Sequence, residues 1–426
     1  MSTKNKIVSR SDTINLLHTS DEFAVINNPE VVYPDYELLP LAKKITKVPF
    51  LKAVVMDMDG TTTTTEELCI HSLEFMVQKI TGLAELKLDH QKDYPHIIGN
   101  STTKHVEYLI RTYQKYIVEA ELRKSFIYAA VWTLLYSNDL GRVNEVKLNL
   151  INFNCKELIL DNNLNENNIS SLIKKYSSKV KITNIVRAAV DIYYQRYHEI
   201  LMQIKSGNSK DISQKIFGNA DVKLIEPMNG VAVFIALIKG WLGEEIKSLF
   251  YLFEDINEKQ KENLLVLSKY FEANPVKLAI VTSSISYEAD IVLGEVFTLL
   301  KEEASKWKIS AKSKKNISNY FSHYLNTYDA YITASDSNEI RLKPHRDLYS
   351  IALHKLGINK KDFNKVLGLE DSESGTIAIR AAGIGLCVAV PFTKTSGHNF
   401  KAASYIASNG LSELILKKNL FMKVSF

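Results

Sequence analysis

Two hydrophobic rhythms alternate along the chain. Short, mostly apolar runs fall at Ala53–Met56, Leu278–Val281, Tyr328–Thr333, Val366–Leu369 and Gly383–Val390, with a last short one at Tyr405–Ser408. Runs of this kind suit strands buried on both faces of a parallel sheet. Between them apolar residues recur at helical spacing. Leu68, Leu73, Phe75, Met76 and Ile80 predict a helix over Glu66–Ile80, and similar spacing predicts helices over Lys104–Ala130, Ile169–Tyr176, Ile185–Lys205, Glu258–Phe271 and Thr376–Ala382. Strands and helices in alternation predict an α/β fold with a parallel sheet and right-handed crossovers.

The alternation is interrupted once. From about residue 63 to 225 the pattern is mainly helical, broken by Asn-rich turns such as Asp161–Asn165, with one strand expected at Val146–Ile151. A helical block between the first buried strand and all the later ones reads as an inserted domain. Residues 1–45 read as an extension, with turn chemistry at Asn27-Asn28-Pro29 and Tyr33-Pro34-Asp35 and a short helix expected over Leu38–Ile45. The expected division is therefore 1–45, a discontinuous core of 46–62 and 226–426, and an insert of 63–225. Tyr193, Tyr194, Tyr197 and His198 on one helical segment read as packing rather than a ligand face, and the basic stretch Lys301–Lys315 as a solvated helix face.

The chemistry lies where the apolar runs stop. Ala53–Met56 leads into Asp57-Met58-Asp59-Gly60-Thr61, two carboxylates with alternate spacing and then a glycine free to turn. An EF-hand loop placed on these acids would need Val55 as its first ligand, and strand rather than helix precedes it; the spacing of a phosphate-cradling glycine loop is missing. Leu278–Val281 ends in Thr282-Ser283-Ser284, hydroxyls that suit phosphate oxygens or a helix cap. Lys343-Pro344 follows the next run, with Pro344 expected to open a helix. Val366–Leu369 ends in Glu370-Asp371, with Gly375 shortly after.

Acid pair, hydroxyl, lysine and second acid pair, in this order and each at a strand end, resemble the motifs of the haloacid dehalogenase-like (HAD) hydrolase superfamily over about residues 50–62 and 226–410. The resemblance implies a Rossmann-like parallel-sheet core with a helical cap inserted after the first strand, as in the phosphoglycolate phosphatase and β-phosphoglucomutase-like branch. His96-Ile97-Ile98-Gly99-Asn100-Ser101 is similar to the substrate loop of such caps, although this insert is much larger. It implies Mg²⁺-dependent hydrolysis of a small phosphorylated metabolite: Asp57 as nucleophile, Asp59 as acid and base, Lys343 as counter-charge, and Thr282 with Ser283 on the phosphoryl oxygens. The metal would be held by Asp57, the Asp59 carbonyl and Asp371, with Glu370 either a further ligand or the holder of Lys343. Gly99, Ser101 and Lys104 would meet the substrate from the cap. A sugar phosphomutase would use the same residues, a phosphonate hydrolase would add a cap lysine (Lys79, Lys87 or Lys104), and a non-catalytic binding module would be expected to have lost some of these residues.

Composition narrows this little. A net charge of +5 from 53 basic and 48 acidic residues suits an anionic ligand without demanding nucleic acid. Three scattered cysteines (Cys69, Cys155, Cys387) predict neither a disulfide frame nor a zinc site. No leader-like or membrane-spanning apolar run occurs, so a cytoplasmic protein is expected.

Overall fold

The computed structural model describes residues 9–28, 32–97, 102–392, 395, 397–417 and 420–422. Contacts divide the chain into two compact units: Met1–Thr63 with Pro227–Ser286 and Phe297–Phe426, and Thr64–Glu226 with Tyr287–Val296.

In the first unit, β1 (Phe23–Asn27) and β2 (Tyr36–Pro40) form an antiparallel hairpin. Six further strands are β3 (Ala53–Asp57), β4 (Lys277–Val281), β5 (Ala330–Ile332), β6 (Val366–Glu370), β7 (Leu386–Ala389) and β8 (Tyr405–Ile406). They make a six-stranded parallel sheet in the order β8-β7-β6-β3-β4-β5. All five residues of β3 and of β6 are buried, which is why both read as continuous apolar runs. Helices Asp347–Lys355 and Glu373–Ala381 cover one face, where Leu348, Tyr349, Leu353 and Ile379 close over Val55, Val281, Ile332 and Val366. The chain leaves β3 for β4 and β5 on one side and comes back to β6, β7 and β8 on the other. The carboxyl ends of β3 and β6 thus sit at the switch in strand order, where open α/β sheets form their ligand crevice.

Four local expectations are corrected. The helix expected over Leu38–Ile45 is absent; β2 occupies Tyr36–Pro40 instead, with Leu39 buried and Leu38 exposed in strand alternation. Its apolar side joins Ala24, Ile26 and Leu41 against Ala381, a tertiary contact that overrides local spacing. The strand expected at Val146–Ile151 lies inside the helix Leu140–Asn152, which buries Val146, Asn149 and Leu150 at helical intervals. Lys104–Ala130 divides into Thr102–Tyr113 and Glu119–Tyr136, because Ile117 and Val118 are extended. Pro344 opens no helix: it sits in a turn after a cis Lys343-Pro344 bond, and the helix begins at Asp347.

The second unit is helical, with Ile185–Lys205 packed against Glu66–Thr81 and Glu119–Tyr136. Tyr193, Tyr197 and His198 are buried in it, and His198 meets Glu288 at 2.9 Å. Asp191, also buried, accepts from Arg142 and from Asn149 (2.7 Å). Burial, working against the pull of Arg142, raises the Asp191 carboxyl to about 6. Arg142→Ala should therefore cost about 3 kcal/mol in urea unfolding at pH 7.5, since it strands a buried charge. The deficit should shrink as pH falls through the raised pKa of Asp191, because a protonated carboxyl needs no counter-ion. A pH-independent loss would show that Arg142 acts by packing alone. Among the described residues, no helix is long and apolar enough to cross a membrane.

Candidate active site

Asp57 closes β3, and the chain turns at once. Thr62 and Thr63 both send N–H groups to the Met58 carbonyl (2.9 Å each), and the Thr62 hydroxyl donates to the Asp57 carbonyl (2.7 Å). Gly60 has φ +83°, in the left-handed region, and a Cβ there would collide with the carboxylate of Asp371. The glycine thus serves both the turn and the approach of the second acid pair. The register sets Met56 beside Leu369 of β6 and Asp57 beside Val281 of β4, so the two flanking strands deliver their terminal polar residues to the same edge.

Lys343 is buried between the strand ends. Its ammonium donates to Asp57 Oδ1 and to Glu370 Oε1, the latter at 2.6 Å. Glu370 is fully engaged: Oε1 also accepts from the Tyr349 hydroxyl (3.0 Å), and Oε2 accepts from the Ser372 amide (3.0 Å) and hydroxyl (2.8 Å). A Cβ at Gly375 would collide with this carboxylate. Burial, reinforced by the charge of Glu370, pushes the Asp57 carboxyl well above the usual carboxylate range against the pull of Lys343. Burial opposes the charge on Lys343 in turn, but Asp57 and Glu370 outweigh it and hold the ammonium above the ordinary lysine range.

One atom stands out. Asp57 Oδ2 is buried with no hydrogen-bond partner, while Asp57, Glu370 and Asp371 can each bring one carboxylate oxygen within 4.8 Å of the others. Buried carboxylate oxygens rarely go unsatisfied. Hard oxygen ligands converging on an unsatisfied one suit a divalent cation of the Mg²⁺ kind.

Asp59, only half-buried, is held separately. Its Oδ2 accepts from the Thr282 hydroxyl (3.1 Å) and the Ser284 hydroxyl (3.2 Å). Ser283, between them, is exposed. The structure thus brings together Asp57, Asp59, Thr282, Lys343, Glu370 and Asp371. Gly99 and Ser101 lie outside the described residues, and Lys104 is exposed on the Thr102–Tyr113 helix of the other unit. Three contributors were not singled out from sequence. Tyr349 reaches Glu370 from a helix six residues past the lysine. Arg341 pins the lysine loop by a two-pronged bond to Asp347 (3.0 Å each) and reaches Glu37 of β2 at 3.2 Å. Ser284 was visible only as the last of three hydroxyls. In the same unit a cavity of about 860 Å³ is lined by Gly60 and Thr61 together with Phe392, His398, Phe400 and Lys401.

These features define a parallel α/β protein with a buried, lysine-neutralised carboxylate site at the switch point of its sheet. No protein-family model and no curated sequence matches the chain. Among solved structures it is similar to CbbY from Rhodobacter sphaeroides in complex with phosphate, at 14% identity and a TM-score of 0.41, over 85% of this chain and 96% of that one. A β-phosphoglucomutase from Clostridium difficile matches at 13% identity and a TM-score of 0.34, covering 84% and 91% of the two chains. A HAD family hydrolase from Deinococcus radiodurans with bound phosphate and sodium matches at 12% identity and a TM-score of 0.36, again covering 84% and 91%. At such identities and TM-scores the likeness assigns this chain no activity.

Proposed function

We propose that the protein is a Mg²⁺-dependent phosphatase that hydrolyses a small phosphomonoester through an aspartyl-phosphate on Asp57. The observation that carries this reading is the division of labour on Asp57: one oxygen is held by Lys343, and the other is buried and unsatisfied beside Asp371. An ordinary structural acid would have both oxygens satisfied.

In the first half-reaction an Asp57 carboxylate oxygen forms a bond to phosphorus as the ester P–O bond breaks in line, and Asp59 gives its proton to the leaving alcohol. In the second, Asp59 takes a proton from the attacking water, the bond from phosphorus to Asp57 breaks, and inorganic phosphate leaves. Lys343 balances the charge gathered around Asp57, and the Thr282 hydroxyl serves the phosphoryl oxygens, with Ser283 beside it. Asp57, Asp371 and the Asp59 carbonyl would hold Mg²⁺, which when bound neutralises charge on the phosphoryl group. Glu370, already committed to its four donors, is assigned to holding Lys343 rather than the metal. The cavity beside Gly60 is large enough for the body of a small organic phosphate. Gly99, Ser101 and Lys104 remain the proposed contacts from the helical insert.

The test is phosphate release from a panel of phosphomonoesters with Mg²⁺, with and without EDTA. Release that EDTA abolishes is the expected result. A folded, metal-loaded protein that releases no phosphate from any ester would overturn the reading. Sugar-phosphate isomerisation that requires a bisphosphate activator would redirect it to a phosphomutase.

A further inference from the structure

Building on the phosphatase reading, we propose that the alcohol released carries an aromatic ring, and that this ring is seated in the cavity of about 860 Å³ beside Gly60. The cavity adjoins the acid cluster. Gly60 directly follows Asp59 and lies against the Asp371 carboxylate, and Gly60 and Thr61 both line the cavity. Thr61 is buried and its hydroxyl has no hydrogen-bond partner, so this end of the cavity has a polar group to offer an oxygen of the bound ester. The rest of the lining sorts by depth. Val390 and Leu411 are buried and Met228, Phe392 and Phe400 half-buried, whereas Asn229, Lys401, Ser408 and Asn409 are exposed. Apolar depth under a polar rim suits a ring better than a sugar, whose hydroxyls would lie unpaired against Val390, Phe392, Phe400 and Leu411. None of the described lining residues is acidic and Lys401 stands at the rim, which favours a neutral or acidic ring over an amine. Hydrogen bonds hold the aromatic wall in place. The Phe392 amide donates to Oγ1 of the buried Thr395 (3.2 Å), and the Phe392 carbonyl accepts from the Thr395 amide (3.0 Å). The Phe400 carbonyl accepts from the Ala403 amide, and the Ala402 carbonyl from the buried Arg380, each at 2.9 Å. The His398 ring, 6.2 Å from that of Phe400, extends the aromatic surface. A wall formed in advance loses little to ordering when the ring arrives.

The test compares 2-phenylethyl phosphate, ethyl phosphate and glucose 6-phosphate. All are esters of primary alcohols, so the P–O bond that breaks is nearly the same in each and differences in kcat/KM report how the leaving group is held. The wild type should favour the phenylethyl ester over both others by at least about tenfold, the order of effect expected for a ring buried against aromatic and aliphatic side chains. Phe392→Ala should lower kcat/KM for the phenylethyl ester about tenfold more than for ethyl phosphate. Ser408→Trp, a change at the exposed rim, should act in the same direction by filling the cavity. Equal kcat/KM on the three esters, a preference for glucose 6-phosphate, activity on other esters with none on the phenylethyl one, or equal losses on the phenylethyl and ethyl esters in both variants would overturn the proposal while leaving the phosphatase reading intact. A folded, Mg²⁺-loaded wild type that releases phosphate from no ester at all would remove that reading and this inference with it.

Discussion

Asp57→Asn is expected to end phosphate release, by about 10⁴-fold or more, while leaving the protein as stable as the wild type or firmer. Asparagine keeps the shape of the side chain and its oxygen toward Lys343, but it cannot form the acyl-phosphate bond. The stability side follows from the electrostatics. Burial and the nearby Glu370 charge disfavour an ionised Asp57, so the wild type carries a strained charge that asparagine removes. In metal-free buffer the variant should gain up to about 2 kcal/mol in unfolding free energy, because it removes one buried charge and leaves Lys343 still paired with Glu370. Thermal unfolding with and without Mg²⁺ supplies the second readout. The wild type should gain Tm on adding metal and the variant much less, as mass action requires of a weakened site. Residual activity above a hundredth of wild type would mean that Asp57 is not the nucleophile. Equal Mg²⁺ shifts in both proteins would place the metal elsewhere.

Lys343→Met should do the opposite to stability. The ammonium is buried and is the cation joining Asp57 to Glu370. Its removal leaves two carboxylates facing each other away from water, and should cost about 3–5 kcal/mol in metal-free buffer. The rate should fall about 10²- to 10³-fold with the loss of one preorganised charge at the transition state. Added Mg²⁺ should raise the Tm of this variant by more than it raises that of the wild type, because a second source of positive charge then stands next to Asp57. A variant as stable as the wild type without metal would show that the carboxylates take up protons without cost, and that Lys343 has only a catalytic role. Opposite stability effects from two residues joined by one ion pair are hard to obtain unless that pair is strained for function.

Much of the site was legible in the chain because its parts are local. Asp57, Thr282 and Asp371 each close or directly follow a buried run, and such runs are visible as apolar sequence, whereas Lys343 lies in a turn eleven residues past the end of β5. A long helix was legible for a similar reason: Ile185–Lys205 was read with the bounds it has in the structure. Where a segment's partner is distant, the reading failed. Leu38–Ile45 has helical spacing, yet Leu39 and Leu41 are drawn against Ala381, hundreds of residues later. Pro344 resembles a helix start, but Arg341 clamps Asp347 and closes the intervening residues into a turn. Glu370 could be read either as a metal ligand or as the partner of Lys343. Tyr349, which with the nearby Ser372 completes its hydrogen bonding, comes from the separate helix Asp347–Lys355.

The sequence by itself determined the chemistry on offer: two acid pairs and a row of hydroxyls at the ends of strands whose burial is written in their side chains, and a lysine in the turn that follows β5 at a distance. Only the tertiary structure decided how that chemistry is shared out. Parallel pairing of β3 with β4 and β6 puts the strand ends side by side, and only then do Lys343, Asp57 and Glu370 become one ion cluster, with Asp59 handed to Thr282 and Ser284. The physical reason is range. Burial and turn preference act within a few residues, whereas desolvation and the pairing of charges depend on which distant groups the fold brings within a few ångströms.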